Sequence, residues 1–240
     1  MALYNPEAEF RFQMNYTELW FRLQCDFSPR RMTTSSIDTK PMRADARRNR
    51  ERVLQAAREC FGHDGLEAQM DDIAARAGVG VGTVYRHFAT KEALVEALAA
   101  KYFEGENAIA SAALEIDDPW EAFTSFIRNG AELLSQHRAL AQISADQPEV
   151  MLAAAVAASV QLGFFDTIEA LIDRAKRAGR LRPDFELEDV PGIMCSLGAL
   201  QINPGKQANW RRLLEIVIDG LREPAGHELP PIRERLPRAV

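Results

Sequence analysis

The chain has 240 residues, 47% of them apolar, enough to bury a sizeable core as one large domain or two small ones. Its 29 Lys and Arg against 35 Asp and Glu give a net charge of −6, so the whole chain is no polycation and any contact with nucleic acid must be local. Cys25, Cys60 and Cys195 lie far apart with no C-x-x-C, which speaks against a disulfide framework or zinc knuckle, suits a reducing cytoplasm, and leaves the three expected to pack as small hydrophobes.

Residues 1–41 hold seven of the 19 aromatics (Tyr4, Phe10, Phe12, Tyr16, Trp20, Phe21, Phe27) without a clear period. That density is unlike typical disorder. The segment is read as an extension that docks on the body or stays disordered, or as a start placed too early, with the true start at Met42. It carries no apolar run of signal-peptide length, so export is not expected.

From there nearly every segment reads as helix, with apolar residues three and four apart and stops at Gly or Pro. The first is expected from about Asp45 to Phe61, burying Val53, Leu54, Ala57, Cys60 and Phe61. The second, Met70 to Ala77, puts Asp71 and Asp72 in its first turn and ends at Gly78. The third spans Val81 to Phe88, and the fourth follows the N-cap Thr90 to about Leu114. Asp118-Pro119 opens a fifth, which buries Trp120, Phe123, Ile127, Gly130 and Leu134. Helices at 138–145, 149–158, 160–178, 188–200 and 209–221 follow, the last capped by Asn209. The apolar stretch Val150–Phe165 is too short for a membrane span and reads as a buried helix. Four of the twelve prolines fall in residues 222–240, which read as a loose tail.

Helix two, the turn Gly78-Val79-Gly80 and helix three have the proportions of a helix-turn-helix. Ile73, Val79, Val84 and Phe88 supply its buried wedge, and Ala74 is small where the helices must approach. The other face of helix three presents Val81, Gly82, Thr83, Tyr85, Arg86 and His87. Their hydroxyls, with Lys91, suit phosphates, and Arg86 suits a guanine edge. Positive charge is segregated here. Arg76 to Lys91 holds three cations and no acid, and 43–52 holds five arginines against Asp45 and Glu51, whereas 53–75 holds one arginine against five acids.

Arg50-Glu-Arg-Val-Leu-Gln-Ala-Ala-Arg-Glu-Cys-Phe61, Gly65-Leu66, Asp72-Ile-Ala-Ala-Arg-Ala-Gly-Val79 and Gly82-Thr-Val-Tyr-Arg-His-Phe88 with Lys91-Glu-Ala-Leu94 resemble the TetR family over about 50 residues. The resemblance implies an all-α protein. A helix-turn-helix DNA-binding domain at 42–90 would precede a helical ligand-binding and dimerisation domain at 91–222, with a Pro-rich tail at 223–240. It implies a homodimer, most often a repressor released from a palindromic operator by a small molecule. By position, Thr83, Tyr85, His87 and Lys91 match backbone-contacting residues, and Val81, Gly82, Tyr85 and Arg86 match positions that meet base edges. The arginines of 43–50, Arg47 and Arg48 among them, resemble an arm laid along or into the minor groove. Two positions depart from the pattern: Gly80 replaces the usual Ser or Thr, and Gln69 replaces the usual capping Thr.

The C-terminal segment Asn209–Leu221 resembles the last helix of many such regulators. By that likeness Leu213, Leu214, Val217, Ile218 and Leu221, with Ile193, Met194, Leu197 and Leu200, form a dimer interface, although such a stripe also serves as internal core. An apolar or aromatic effector of unknown identity would lie among Phe103, Trp120, Phe123, Ile127, Met151, Phe164, Phe165 and Met194. Each of these is equally an ordinary core residue. His137 is a candidate polar handle or a ligand for the last carbonyls of a helix, and Asp173 with Arg177 reads as a surface pair.

No metal or cofactor site is expected. The four histidines, His63, His87, His137 and His227, sit in no H-E-x-x-H, no G-x-S-x-G occurs, and Gly78-Val-Gly-Val-Gly82 lacks the strand and spacing of a dinucleotide loop, so enzymatic activity is not expected. The alternative within DNA binding is a protein without an inducer, whose C-terminal domain binds a protein partner.

Overall fold

The computed structural model describes residues 40–202, 209–233 and 235–236, and the readings of residues 1–39 lie outside them. Ten α-helices run through the described residues: α1 Lys40–Asp64, α2 Met70–Ala77, α3 Val81–His87, α4 Lys91–Leu114, α5 Pro119–Ser135, α6 Arg138–Asp146, α7 Pro148–Leu162, α8 Phe164–Arg177, α9 Asp189–Ile202 and α10 Trp210–Gly220. The one β feature among them is an isolated bridge between Leu181 and Arg222.

The helices enclose two cores. In the first, α1–α3 pack against the first half of α4 and against α6, around Val53, Ile73, Val84 and Leu94, none of which has exposed surface. In the second, the last half of α4 packs with α5 and α7–α10 around Phe123, Ile127, Leu171 and Phe185. Burial of each such side chain contributes about 1.5–3 kcal/mol. Helix α4 belongs to both cores: Leu94, Val95, Leu98 and Tyr102 lie in the first, Ala110 and Ala113 in the second.

Helix starts follow the expected chemistry in two places. Thr90 accepts from the Ala93 amide at 3.1 Å, and Asp118 accepts from the Trp120 and Glu121 amides at 2.9 and 2.8 Å. Asn209 makes no side-chain capping bond, contrary to expectation.

Other boundaries shift. Helix α1 continues through Gly62 to Asp64 and stops only where Gly65, at φ +64°, opens a 3₁₀ turn. Gly62 has no such conformation, and a lone glycine weakens a helix without ending it. The expected helix from Val160 is broken instead at Gly163, where φ of +69° ends α7 and α8 departs at 84°. The long apolar run is therefore two helices. Ala155 and Ala158 are buried, but Val160 and Leu162 are 65% and 45% exposed. No single described helix is long and apolar enough to cross a membrane, although α7 and α8 pass that test as a bent pair by length and composition.

The Pro-rich end is not a loose tail in its described part. Arg182 donates to the His227 carbonyl at 2.6 Å, Asp184 accepts from the Leu229 amide at 2.6 Å, and Glu188 accepts from the Leu236 amide at 3.3 Å. Proline removes donors from that segment, but side chains of the α8–α9 connection provide the partners that a helix would have provided internally. Of the cysteines, Cys60 is buried as expected, whereas Cys195 is exposed on α9.

Candidate nucleic-acid interface

The angle between α2 and α3 is set by Gly78 at φ +64°, ψ +40°. Its amide donates to the Ala75 carbonyl at 3.1 Å, and the Val79 amide donates to Ala74 at 3.1 Å. Only glycine reaches this left-handed conformation freely. From α1, Arg52 donates to the Ala77 and Gly78 carbonyls at 2.6 and 3.3 Å, so the turn is clamped from behind.

Gly80 then caps α3 in an extended conformation, its carbonyl accepting from the Thr83 amide at 2.8 Å. Gln69 gives α2 no side-chain cap and turns back to the Glu67 carbonyl at 2.7 Å. Both departures from the family pattern thus leave a hydroxyl out, and both helices start without a side-chain cap.

Helix α3 is held by Val84 and by Phe88 just past its end, which are 0% and 3% exposed. Its opposite face carries Val81, Gly82, Tyr85 and Arg86, all exposed; Val81 is 40% and Tyr85 50% open to solvent. Thr83, His87 and Lys91 are half-buried at its edges. Val79, expected in the wedge, is also only half-buried. An exposed apolar, aromatic and cationic strip beside hydroxyl and ammonium groups matches what a major groove offers: base edges flanked by phosphates.

The arginines divide by role. Arg47 is exposed on α1, and Arg48 bonds Asp45. The backbone from Lys40 onward is helical, so these two stand on the first turns of a helix and not on an extended arm. Arg50 lies over the Phe88 ring at 5.0 Å. Arg76, one of the three cations counted between 76 and 91, is paired with Glu59 at 3.0 Å. The Gln55 side chain, and then Arg76, hold the Glu59 carboxyl below its ordinary range. Two arginines of the basic segment 43–52, Arg50 and Arg52, therefore brace the turn and α3 from α1. Arg52 is the residue that spacing alone did not single out.

In the C-terminal half, the expected pocket residues are packed with one another. Phe103 meets Phe164 at 5.6 Å between ring centroids, Phe164 meets Phe165 at 5.9 Å, and Trp120 meets Phe123 at 6.0 Å. Phe123 also stacks edge-on with Phe185 at 5.4 Å. Ile127 is fully buried in this core with Phe103 and Met194 packed against it, while Met151 packs against the other core. A cleft of about 300 Å³ lies elsewhere, between α4 and α5, lined by Ala108, Ile109, Ala112, Ala113, Ile116, Ser125 and Asn129.

His137 precedes α6 as a half-buried residue whose Nδ1 is buried without a partner. Burial, then the nearby Arg58, lowers its pKa. Arg177 donates to the Asp173 carbonyl and not to its carboxylate. No group of three or more metal-ligating side chains gathers among the described residues.

Sequence reasoning missed Glu106, a carboxylate on the core face of α4 with 4% exposure. Its position four residues after Tyr102 and three before Ile109 was the available signal.

Two family descriptions match the chain: "Bacterial regulatory proteins, tetR family" over residues 53–98, and "Transcriptional regulator SbtR-like, C-terminal domain" over residues 118–223. A TetR transcription regulatory protein from Mycobacterium vanbaalenii is similar at 35% identity and a TM-score of 0.54, over 76% of this chain and 99% of that one. A TetR transcriptional regulator from Streptomyces coelicolor is similar at 30% identity and a TM-score of 0.52, over 73% and 99%. An HTH-type transcriptional regulator from Staphylococcus aureus is 44% identical over 54 residues, 22% of this chain and 29% of that protein's length.

Proposed function

We propose that this chain, which belongs to the TetR family of bacterial regulatory proteins, is a homodimeric, sequence-specific DNA-binding transcriptional regulator of the cytoplasm, a repressor released from a palindromic operator by a small molecule. The observation that carries the reading is the exposed strip Val81, Gly82, Tyr85 and Arg86 on α3, raised on a turn that Gly78 shapes and Arg52 clamps. Arg86 reads a guanine edge, Thr83, Tyr85, His87 and Lys91 position the helix on phosphates, and Arg47 and Arg48 approach the backbone from α1.

Dimerisation is supported by α9 and α10. Leu197, Leu214 and Ile218 face the chain's own core, while Ile193, Met194, Leu200, Leu213 and Val217 are half-buried at its rim and Ile216 is 57% exposed. Exposed Gly192, Ser196 and Ala199 on α9 let a second helix approach closely. Two such chains would space their recognition helices about one DNA turn, roughly 34 Å, apart. The effector would lie in the C-terminal half, where the apolar and aromatic side chains of α4, α5, α7, α8 and α9 converge.

Selection of bound duplexes from a random pool at moderate salt, with the full chain, tests the reading. Recovery of an inverted repeat is the expected result; no enrichment overturns it.

A further inference from the structure

We propose that the effector is a protonated amine on an apolar body, its ammonium bound between Glu106 and Gln201; the proposal rests on the ligand-gated reading above. Glu106 stands about two thirds of the way along α4, and its Oε1 is buried with no hydrogen-bond partner. Gln201 of α9 is 5% exposed, and its Oε1 is also buried without a partner, while its Nε2 donates to the Ala131 carbonyl at 3.3 Å.

Both side chains meet α5, Glu106 at Gly130 and Gln201 through its Nε2 at the Ala131 carbonyl. Glu106 lies over Gly130, the residue before Ala131. A Cβ added at Gly130 would stand 2.9 Å from one carboxylate oxygen, 3.3 Å from the other and 3.4 Å from the Met194 methyl of α9. The glycine lets the carboxylate pass, and Met194 closes the third side with a flexible, apolar side chain. The Tyr102 hydroxyl, one turn earlier on α4, acts on the carboxylate, and none of the described Lys, Arg or His residues is paired with it.

Two buried acceptors without a donor call for a group made only of donors. An ammonium brings up to three N–H donors and the positive charge that the carboxylate lacks, whereas a carboxylic acid anion brings neither and an alcohol brings one donor without charge. Burial pushes the Glu106 carboxyl up to about 7, so an arriving cation meets a group that gives up its proton near neutrality.

The body of the ligand also has a place. Ile109 and Ala113 follow Glu106 by three and seven residues on the same face of α4. With Ile116 and Asn129 they line the cleft of about 300 Å³ along the α4–α5 seam.

Calorimetry on the full chain with octylamine, octanol and octanoate as probes, for the wild type and Glu106→Gln, decides the matter, with melting curves to verify that the variant is folded. Octylamine is expected to bind the wild type at least tenfold more tightly than either other probe, and Glu106→Gln to abolish that preference while retaining octanol binding. Equal binding of octylamine and octanol by the wild type, no binding of octylamine, or an undiminished preference in Glu106→Gln overturns the proposal. Release of operator DNA by octanoate but not octylamine would overturn the amine class and leave the ligand-gated reading standing. Octylamine binding that needs Glu106 but never releases bound DNA would support the site and sink ligand gating.

Discussion

Arg86 and Lys91 lie five positions apart and differ in kind of contact. Arg86 is exposed on the outward face of α3, while Lys91 is half-buried at the start of α4. Replacing Arg86 by Ala is expected to cost about 1–3 kcal/mol on the selected duplex and relax base preference at one position. Lys91→Ala is expected to weaken specific and random DNA alike and to reduce the salt slope by about one. Titrations of both duplexes at several salt concentrations separate the two; equal losses on both DNAs for both variants would contradict the assigned roles. Glu106 makes a prediction about stability. Its carboxyl, at about 7 in the folded chain against 4.5 when unfolded, keeps a proton that the unfolded chain loses between those values. The stability it contributes is present below pH 4.5, declines as pH rises, and is gone above about 7, a span of roughly 3 kcal/mol. His137, with its pKa lowered by burial, acts in the opposite sense, since stability falls as pH drops through 6.5. Melting curves of wild type and Glu106→Gln from pH 4.5 to 8 cancel the histidine and isolate the carboxyl. The difference should favour the variant increasingly up to pH 7 and then level.

At the scale of elements, the α2–turn–α3 unit offers a pair of contrasting glycines. Gly78→Ala places a Cβ in the left-handed region and 2.8 Å from Arg52 Nη2, so the clamp on the Ala77 carbonyl must shift. A loss of about 1–2 kcal/mol is expected for the backbone alone. At Gly82 an added Cβ meets nothing within 4 Å. Gly82→Ala should leave the melting temperature unchanged or raise it slightly, and lower DNA affinity where a methyl now stands between helix and base edge. A destabilised Gly82→Ala would show that the face is not free. The helix-turn-helix was readable in the sequence because each of its signals is local: a carboxylate-rich first turn, a C-terminal glycine, and a buried residue every three or four positions. The break at Gly163 was not, because periodicity is weak in an alanine-rich run, and a lone glycine there ends the helix only through its positive φ. Arg50 and Arg52 read as part of a basic patch because charge counts are blind to partners such as the Phe88 ring and the Ala77 carbonyl. Glu106 was passed over for a related reason: its meaning lies in Gly130 and Gln201, 24 and 95 positions away.

The whole molecule is tied at its far end by Arg182. That side chain is 6% exposed, grips Asp184 through two bonds of 2.6 and 3.0 Å, and reaches the His227 carbonyl. Arg182, then the Leu229 amide, holds the Asp184 carboxyl well below the usual carboxylate range. Arg182→Ala is expected to cost about 3 kcal/mol and free the Pro-rich segment to proteolysis, checked by denaturant unfolding and limited digestion. An intact segment in that variant would show that the Asp184–Leu229 and Glu188–Leu236 bonds, with Leu236 packing, retain it without Arg182.

Helix α4 is rooted in both cores, and its 24 residues form a rod about 36 Å long. Glu106 divides it unevenly, with 15 residues, roughly 22 Å, on the side that leads to Lys91. A tilt of only ~5° about that point carries Lys91 through ~2 Å. In the proposed dimer, two recognition helices that each shifted by that amount would fall out of register with half-sites whose spacing DNA fixes. In the ligand-gated dimer proposed above, a small rotation of α4 would therefore suffice for release, and the leverage would lie in the length of one helix.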